Sequence, residues 1–523
     1  MIYLLDFLTL IKMNRAFFFE NRVMRYKPTD EIPKKLLKKM FTILENPIYC
    51  GELKTNKMTM NQKSPWNYSN KVAYFKLKDK KELNADLEKL KYGKYLLKEM
   101  HDQDILDASK KTVELLENKY WDKYLTYTML GQGKSVYEAE VDACEAIDFI
   151  NFNIHSKHKL FSDKPFCYPK TNGKNFINYL NYNPIEGFVT SITPFNFTAI
   201  ALNMIHTPLT YRNPVVWKPS NNSILSNWLL YEILVEAGFP KEAIIFAPSK
   251  PEDFKTVLEN KDLGLVYFTG STKGFQNIRK TVELVNNRKH FPRYVAETGG
   301  KNSHFADETA NIDLVVNETI NSSFGYAGQK CSSCDILYVP EKMIFSYIET
   351  FRKKLNNLND FFPKDCMYFN VIDENSLSRL HNIKSKGYPC LSANTPSILQ
   401  PTVFIAKDGQ QLERLDDEIF GPFVVLQGYK DKPVNKLIEI SESNDYPLTF
   451  SVFTKDMYMK EKAKKIMSCV GNFYINTKST GSLVGQQPFG SSRLSGTGEK
   501  VGWYTEKTAF FTIQSVKEKS HFV

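Results

Sequence analysis

The segment Gly325–Cys334, which reads GYAGQKCSSC, places a cysteine just after two closely spaced glycines. An amphipathic run precedes this segment and a β-type run, Ile336–Val339, follows it. The pattern predicts that Cys331 lies in a turn between a helix and a strand. Glycines allow close approach of the backbone to a substrate, and a cysteine placed there can attack an electrophile as a thiolate. The alternative is an inert packing cysteine.

A zinc or dithiol redox site is a second reading of Cys331 and Cys334, which are spaced as CxxC. A structural zinc site needs two further ligands at suitable spacing, whereas Cys366 and Cys390 are isolated in the sequence and no pair of histidines is near them. We therefore expect no metal. Eight cysteines in 523 residues do not form a disulfide scaffold, which favours a reducing compartment.

From Gly187 onward, short apolar runs alternate with segments of helical length. This alternation predicts a parallel sheet with crossover helices, which binds ligands at the carboxyl ends of its strands. The predicted strands are Phe188–Ile192, Val215–Trp217, Ile244–Ala247, Leu265–Phe268 and Tyr294–Ala296.

Four features directly follow these strands. The amide of Asn196 can stabilise an oxyanion or cap a helix, and Lys218 can meet a phosphate or ribose or remain a surface lysine. The turn Gly270–Gly274 is an anion site or a plain cap at Ser271, and its spacing fits neither GxGxxG nor a P-loop. Glu297 precedes two glycines, whose entropic cost implies a special backbone conformation.

Elements outside this sheet are also predicted. Helical periodicity covers Ile105–Leu116 and Trp121–Leu130, and Ser135 with Glu138 forms a capping box for a third helix. Residues 175–182 and 509–516 are strands that pair either as an arm meeting another subunit or as an ordinary edge hairpin. The long polar loop 478–490 is either functional or a flexible connector.

Overall composition bounds the class of protein. A chain of 523 residues with 42% hydrophobic and 24% charged residues predicts a globular protein of two or three domains without a membrane span. The formal charge of +11 comes from evenly spread lysines, which favours a solvated surface over nucleic-acid binding.

The start of the chain lacks a secretory pattern. Basic residues up to Arg25 are consistent with organelle targeting, although Asp6 and Glu20 weaken that reading.

The order of seven motifs carries a family resemblance. PFNF, WKPS, FTGS, ETGGKN, GQKCSSC, EIFGP and GNFYIN occur in the order typical of the aldehyde dehydrogenase superfamily, and the resemblance covers nearly all of the chain after about residue 65. Within it, segments 191–203, 325–334 and 476–490 resemble the Δ1-pyrroline-5-carboxylate dehydrogenase family. The stretch 368–401 departs from that family by being compressed.

The resemblance implies an α/β fold of the aldehyde dehydrogenase type. It implies a Rossmann-type NAD-binding domain with an N-terminal helical extension (1–170 and 187–296), an α/β catalytic domain (297–490) and a β-hairpin oligomerisation arm (171–186 and 505–523). It further implies a homodimer or higher homo-oligomer in the mitochondrial matrix, with the cytoplasm as the alternative.

The resemblance also implies roles for individual residues. Cys331 matches the nucleophile, Glu297 the general base and Asn196 the oxyanion donor. The implied NAD-binding residues are Thr193, Lys218, Gly270, Ser271, Thr272, Lys273, Gly274 and Glu418. The implied substrate-binding residues are Ser332, Gly481, Ser482 and Phe489, with Phe197 and Phe489 expected to sandwich the aliphatic stem.

The implied activity is the NAD-dependent oxidation of L-glutamate γ-semialdehyde to L-glutamate in proline breakdown, through a thiohemiacetal and a thioester on Cys331. Two alternatives remain open: oxidation of a different aldehyde, and a non-catalytic binding protein with the same fold.

Overall fold

The computed structural model describes residues 20–51, 60–162, 176–363, 369–395, 397–407, 409, 410, 412, 415 and 417–519. Its α-helices are α1 Lys34–Glu45, α2 Lys80–Glu99, α3 Asp102–Glu114, α4 Trp121–Gln132, α5 Val136–Phe161, α6 Thr198–Thr210, α7 Ile224–Glu236, α8 Pro251–Leu258, α9 Thr272–Glu283, α10 Ile312–Phe324, α11 Ile344–Leu355, α12 Glu374–Lys384, α13 Pro433–Ser443, α14 Met457–Ile466 and α15 Tyr504–Lys507. Its strands are β1 Ile48–Cys50, β2 Met60–Ser64, β3 Asn67–Phe75, β4 Phe176–Pro184, β5 Phe188–Ile192, β6 Val215–Lys218, β7 Ile244–Phe246, β8 Leu263–Thr269, β9 Arg293–Glu297, β10 Asn302–Ala306, β11 Cys334–Pro340, β12 Cys390–Ser392, β13 Thr402–Ala406, β14 Phe423–Tyr429, β15 Thr449–Phe453, β16 Asn472–Ile475 and β17 Phe511–Lys519.

A five-stranded parallel sheet is built from β5 to β9 in the order β7-β6-β5-β8-β9. Its central strands β5 and β8 are buried along almost their whole length, as expected for a parallel sheet covered on both faces. All five strands predicted from the sequence are present, and their ends differ from the predicted ones by at most two residues. The carboxyl edge of this sheet therefore collects the polar residues that follow the strands.

A seven-stranded sheet has the order β12-β13-β14-β11-β10-β15-β16 and is antiparallel only between β12 and β13. Its core is formed by α10 and α11 packed on β11 and β14. The segment with Cys331 connects α10 to β11, as the sequence predicts.

The helices before the first large sheet agree with the sequence pattern. Gly133 ends α4 with a φ of +78°, and the Ser135 side chain accepts a hydrogen bond from the Glu138 amide at the start of α5. The segment predicted as an N-terminal helical extension also contains β1, β2 and β3, which form a three-stranded sheet. The Gln62 and Ser64 side chains donate to the carbonyls of Gly131 and Leu130, at 2.9 and 2.7 Å, and so hold this sheet on α4.

Strands β4 and β17 pair antiparallel along their whole length, from Pro184 opposite Phe511 to Phe176 opposite Lys519. This confirms the predicted pairing of two segments far apart in sequence. Rings of Phe161, Tyr182 and Phe511 pack together at the base of the pair. Contact of the pair with another subunit stays a prediction.

No helix within the described ranges is both long and apolar enough to cross a membrane. The same ranges contain no group of three or more His, Cys, Asp or Glu side chains that could hold a metal ion.

Candidate active site

The turn before Cys331 has an unusual backbone. Tyr326, Ala327 and Gly328 have consecutive left-handed φ angles of +52°, +51° and +69°. Such angles are unfavourable for residues other than glycine and persist only where the surroundings enforce them. At Gly328 a Cβ would lie 2.0 Å from the Gly421 carbonyl oxygen, so only glycine fits. The turn thus fixes where the cysteine emerges.

Asn302 holds the other side of this turn. Its Nδ2 donates to the carbonyls of Cys331 and Ser333, at 2.7 and 2.8 Å, while its Oδ1 accepts from the Thr449 amide at 2.9 Å. One amide therefore joins the cysteine segment to β10 and β15. In the sequence this asparagine is the last residue of the ETGGKN motif, and the motif alone does not indicate this role.

Asn196 lies against the same turn. Its Nδ2 donates to the Gln329 carbonyl at 3.0 Å, and the side chain is 5% exposed. It caps no helix, since Phe197 occupies the N-cap of α6 and supplies no side-chain bond. The helix-cap reading of Asn196 is therefore wrong. Its amide instead bonds Gln329, which precedes Cys331 by two residues.

Asp142 of α5 caps α6 instead. Its two oxygens accept from the amides of Thr198 and Ala199, at 3.0 and 2.6 Å, and one of them also accepts from Lys134 Nζ. These bonds satisfy buried amides that the first turn of a helix leaves free. Asp142 therefore fixes the helix that begins directly after Asn196 and Phe197.

The Lys134 ammonium lies between two aromatic rings at the site. It is 4.1 Å from the ring centroid of Phe197 and 5.0 Å from that of Tyr326. The Tyr326 hydroxyl donates to the Gln132 carbonyl at 2.9 Å. The Phe197 ring, predicted to contact the substrate, therefore also contacts the buried ammonium of Lys134.

Glu297 is the last residue of β9, and its side chain is 7% exposed. Its Oε2 has no hydrogen-bond partner within the described part of the chain. Burial raises the pKa of this carboxyl well above its usual range, against the attraction of Lys500. At Gly490, whose φ is +144°, a Cβ would lie 2.5 Å from Glu297 Oε1. A buried carboxyl of raised pKa suits proton transfer near neutral pH.

Cys331 is partly buried and not disulfide-bonded. Burial raises the pKa of its thiol above the usual range, and the negative charges of Glu418, Glu297 and Glu145 raise it further. Three carboxyl groups thus lie close enough to the thiol to influence its charge. Asn196 thus bonds the turn just before Cys331, and the charge of Glu297 acts on the Cys331 thiol; a shared catalytic cleft for the three residues stays a prediction.

Glu145 was missed by sequence analysis. Burial, and then the charge of Asp142, raises the pKa of its carboxyl to about 8. The available signal was the spacing of Glu138, Asp142 and Glu145, which places three acids on one face of α5.

Apart from Glu418, which precedes β14 of the seven-stranded sheet, the residues predicted to bind NAD lie at the carboxyl edge of the five-stranded sheet. Thr193 Oγ1 accepts from Trp217 Nε1 at 3.0 Å, and burial lowers the pKa of Lys218 at the end of β6. Ser271 caps α9 by accepting from the Gly274 amide at 3.2 Å. The plain cap reading of Ser271 is thus confirmed, and anion binding at the start of α9 stays a prediction. The same turn contains Gly270, Thr272 and Lys273.

Glu418 accounts for Gly299, the first of the two glycines after Glu297, whereas at Gly300 a Cβ would lie 2.5 Å from the Cys331 carbonyl oxygen. Glu418 Oε1 accepts from the Gly300 amide at 3.1 Å, and a Cβ at Gly299 would lie 2.6 Å from Glu418 Oε2. Burial, and then the charge of Asp335, raises the pKa of Glu418 to about 7. The carboxylate therefore occupies space that only glycine leaves free.

The loop predicted to bind the substrate is fixed by side-chain bonds and is not a loose connector. The hydroxyls of Ser482 and Tyr474 are 2.8 Å apart, and Gly481 has a φ of +99°. Ser479 Oγ donates to the Ser332 carbonyl at 3.1 Å. Phe489 and Val501 exchange backbone bonds of 3.0 and 2.7 Å. A sandwich between the rings of Phe197 and Phe489 stays a prediction.

Comparison with known proteins gives consistent matches. The profile of the aldehyde dehydrogenase family matches residues 53–516. The mitochondrial Δ1-pyrroline-5-carboxylate dehydrogenase of Dictyostelium discoideum is 36% identical over 430 residues, which span 78% of this chain and 76% of the relative.

Solved structures agree with these sequence matches. The Δ1-pyrroline-5-carboxylate dehydrogenase of Mycobacterium tuberculosis, bound with NAD and cobalamin, aligns with a TM-score of 0.84 at 26% identity, over 97% of this chain and 98% of that one. The 1-pyrroline-5-carboxylate dehydrogenase from Thermus with bound NAD aligns with a TM-score of 0.82 at 26% identity, over 95% of this chain and 100% of that one. The chain therefore belongs to the aldehyde dehydrogenase family.

Proposed function

We propose that this protein oxidises L-glutamate γ-semialdehyde to L-glutamate with NAD, the last step of proline breakdown. The relatives named above, with the enzymes from Mycobacterium tuberculosis and Thermus bound to NAD, support this assignment. The observation that carries it is that the Asn196 amide bonds the turn two residues before Cys331, while the charge of Glu297 acts on the Cys331 thiol.

The chemistry begins at Cys331. Because burial favours the thiol, its proton must pass to water before the sulfur attacks. A bond then forms between Sγ and the aldehyde carbon, and the carbonyl oxygen becomes an oxyanion. Asn196 Nδ2 and the Cys331 amide are the proposed donors to that oxygen.

Collapse of the oxyanion expels a hydride from the same carbon and leaves a thioester on Cys331. NAD, when bound, accepts that hydride. Glu297 then takes a proton from water, the hydroxide adds to the thioester, and the carbon–sulfur bond breaks to release L-glutamate and the thiolate. Glu297 thus acts mainly in the second half of the reaction.

The residues present fit NAD. The Lys218 ammonium and the Glu418 carboxylate offer complementary groups for ribose hydroxyls, and the free amides at the start of α9 suit a pyrophosphate. Gly299 leaves room beside the Glu418 carboxylate that any Cβ would fill. We propose that Thr193 and the turn Gly270–Gly274 also bind NAD.

The amino-acid end of the substrate carries a carboxylate and an ammonium. We propose that Ser332 and the Gly481–Ser482 segment bind the carboxylate through hydroxyl and backbone N–H groups. Phe197 and Phe489 are the proposed walls for the aliphatic stem.

Steady-state kinetics tests the proposal directly. We expect kcat/KM for L-glutamate γ-semialdehyde to exceed that for propanal and hexanal, and NAD to be preferred over NADP. Cys331→Ala should abolish NADH formation. Equal use of the simple aldehydes would favour a different substrate, and NADH formation that survives Cys331→Ala would rule out this nucleophile.

We also propose the assembly and the compartment. The β4–β17 pair is the proposed arm of a homodimer, next to an NAD-binding domain of residues 1–170 and 187–296 and a catalytic domain of residues 297–490. Mitochondrial relatives support the mitochondrial matrix. Light scattering of the intact chain and of a β17 deletion tests the arm, and cell fractionation tests the compartment.

A further inference from the structure

The segment 20–26, here called the N-terminal strap, runs between α5 and the loop 481–490. Asn21 is its central residue. Asn21 Nδ2 donates to Asp148 Oδ2 at 2.7 Å and to the Val484 carbonyl at 3.0 Å, while Asn21 Oδ1 accepts from Gln486 Nε2. One side-chain amide therefore joins the strap, α5 and the loop.

Two acids of α5 fix the rest of the strap. The Arg22 amide donates to Asp148 Oδ1 at 3.3 Å, and the amides of Arg25 and Tyr26 donate to Glu140 Oε2 at 2.7 and 2.8 Å. These bonds are made by a segment that forms no helix or strand of its own. The strap is therefore held by the side chains of α5, and it presents Asn21 to the loop.

The loop meets Asn21 in a tight turn. The amides of Gln486 and Gln487 both donate to the Leu483 carbonyl, at 3.0 and 2.9 Å, and Gly485 has a φ of +76°. The Val484 side chain is buried in a core cluster that also contains residues of α5, and the Val484 carbonyl accepts the bond from Asn21. The two loop residues that Asn21 holds, Val484 and Gln486, therefore lie in the chain between Ser482 and Phe489, which are predicted to bind the substrate.

We propose that the N-terminal strap is a positioning element for the substrate, in which Asn21 holds the loop so that Gly481, Ser482 and Phe489 meet the amino-acid end of the aldehyde. This inference rests on the proposed function of that loop. The strap's hydrogen bonds run to α5 and the loop, whereas Cys331 and Asn196 are held through Asn302 and Gln329. Loss of Asn21 should therefore weaken binding of the aldehyde more than it slows the chemical steps.

Kinetics of Asn21→Ala tests this with two aldehydes. We expect KM for L-glutamate γ-semialdehyde to rise about tenfold, the size expected from losing such hydrogen bonds, with kcat changed less than about twofold. For propanal, which lacks the carboxylate and ammonium, kcat/KM should stay the same. Gln486→Ala should act in the same direction. Asn46→Ala, at an exposed asparagine after α1, is the matched control and should change neither aldehyde.

Hydrogen exchange provides a second measurement that does not depend on activity. Amides of residues 481–490 should exchange faster in Asn21→Ala than in the wild type and the Asn46→Ala control, at an unchanged melting temperature. Exchange rates in residues 481–490 that equal those of the wild type would overturn the proposal that Asn21 holds this loop. Faster exchange with an unaltered semialdehyde KM, or an equal loss for both aldehydes, would overturn its role toward the substrate. A wild type without preference for the semialdehyde would instead refute the proposed function.

Discussion

Lys134 Nζ lies 2.6 Å from Asp142 Oδ2, and the two side chains are 1% and 0% exposed. A buried ion pair loses much of its attraction to desolvation, so its value depends on further partners. Here Asp142 also accepts two amides at the start of α6, and Lys134 stands over the rings of Phe197 and Tyr326. The pair links the helix after Asn196 to the turn before Cys331.

Lys134→Met should destabilise the protein by about 3–5 kcal/mol, because it leaves the Asp142 charge buried without its cation. Urea denaturation of the variant and the wild type measures this difference. Lys123→Met is the control: Lys123 is 39% exposed and lies 3.7 Å from Glu232, so its loss should cost less than about 1 kcal/mol. Equal losses in the two variants would contradict a structural role for the buried pair.

Glu297→Gln should separate the two halves of the reaction. The amide cannot take a proton from water, so the thioester should accumulate after one turnover. Stopped-flow absorbance at the NADH band should show a burst of about one equivalent per site, followed by a steady state reduced at least about a hundredfold. Glu461→Gln, at an exposed position of α14, should behave as the wild type. A steady-state rate equal to that of the wild type would refute the assignment of the base.

Gly490→Ala should slow the release of the thioester. Its Cβ would lie 2.5 Å from Glu297 Oε1 and 2.4 Å from the Glu499 carbonyl oxygen, so the carboxyl or the loop must move. Displacement of a reacting group by about 1 Å costs on the order of a hundredfold in rate. Rapid-quench measurement of thioester decay gives the step directly.

Gly498→Ala is the matched control for that variant. Gly498 also has a positive φ, of +97°, but a Cβ there has no atom within 4 Å. The two variants therefore share backbone strain and differ in the clash with Glu297. If both slow the thioester decay equally, strain is responsible and the contact with Glu297 is not.

Local sequence was sufficient wherever short-range chemistry decides the structure. The five strands of the first sheet are short, mostly apolar runs, and the Gly133 and Ser135 helix ends follow from the residues themselves. The turn around Cys331 was predictable for the same reason. Glycine spacing signals a backbone that other residues rarely adopt.

Long-range partners were not predictable in the same way. Asn196 has a sequence typical of a helix cap, yet its bond goes to Gln329, and the cap comes from Asp142 on another helix. The strap likewise depends on the bond between Asn21 and Asp148, which are 127 positions apart. The sheet of β1 to β3 depends on the bond between Gln62 and Gly131, which are 69 positions apart. Motif order supplied the roles of the site residues, while only the fold shows how they are held.

The charge state of Cys331 should depend on pH through Glu418. Burial raises the pKa of the thiol, so the thiolate fraction at pH 7 is small and alkylation by iodoacetamide should keep rising with pH beyond 9. Glu418, with a pKa of about 7, becomes negative above that pH and opposes the thiolate. Glu418→Gln should therefore alkylate faster than the wild type above pH 7, by about threefold, and equally below about pH 6. Glu349→Gln, at an exposed position of α11, should follow the wild type throughout. A wild-type alkylation rate that levels off below pH 8.5, or a Glu418→Gln effect confined to low pH, would show that these charges do not control the thiol.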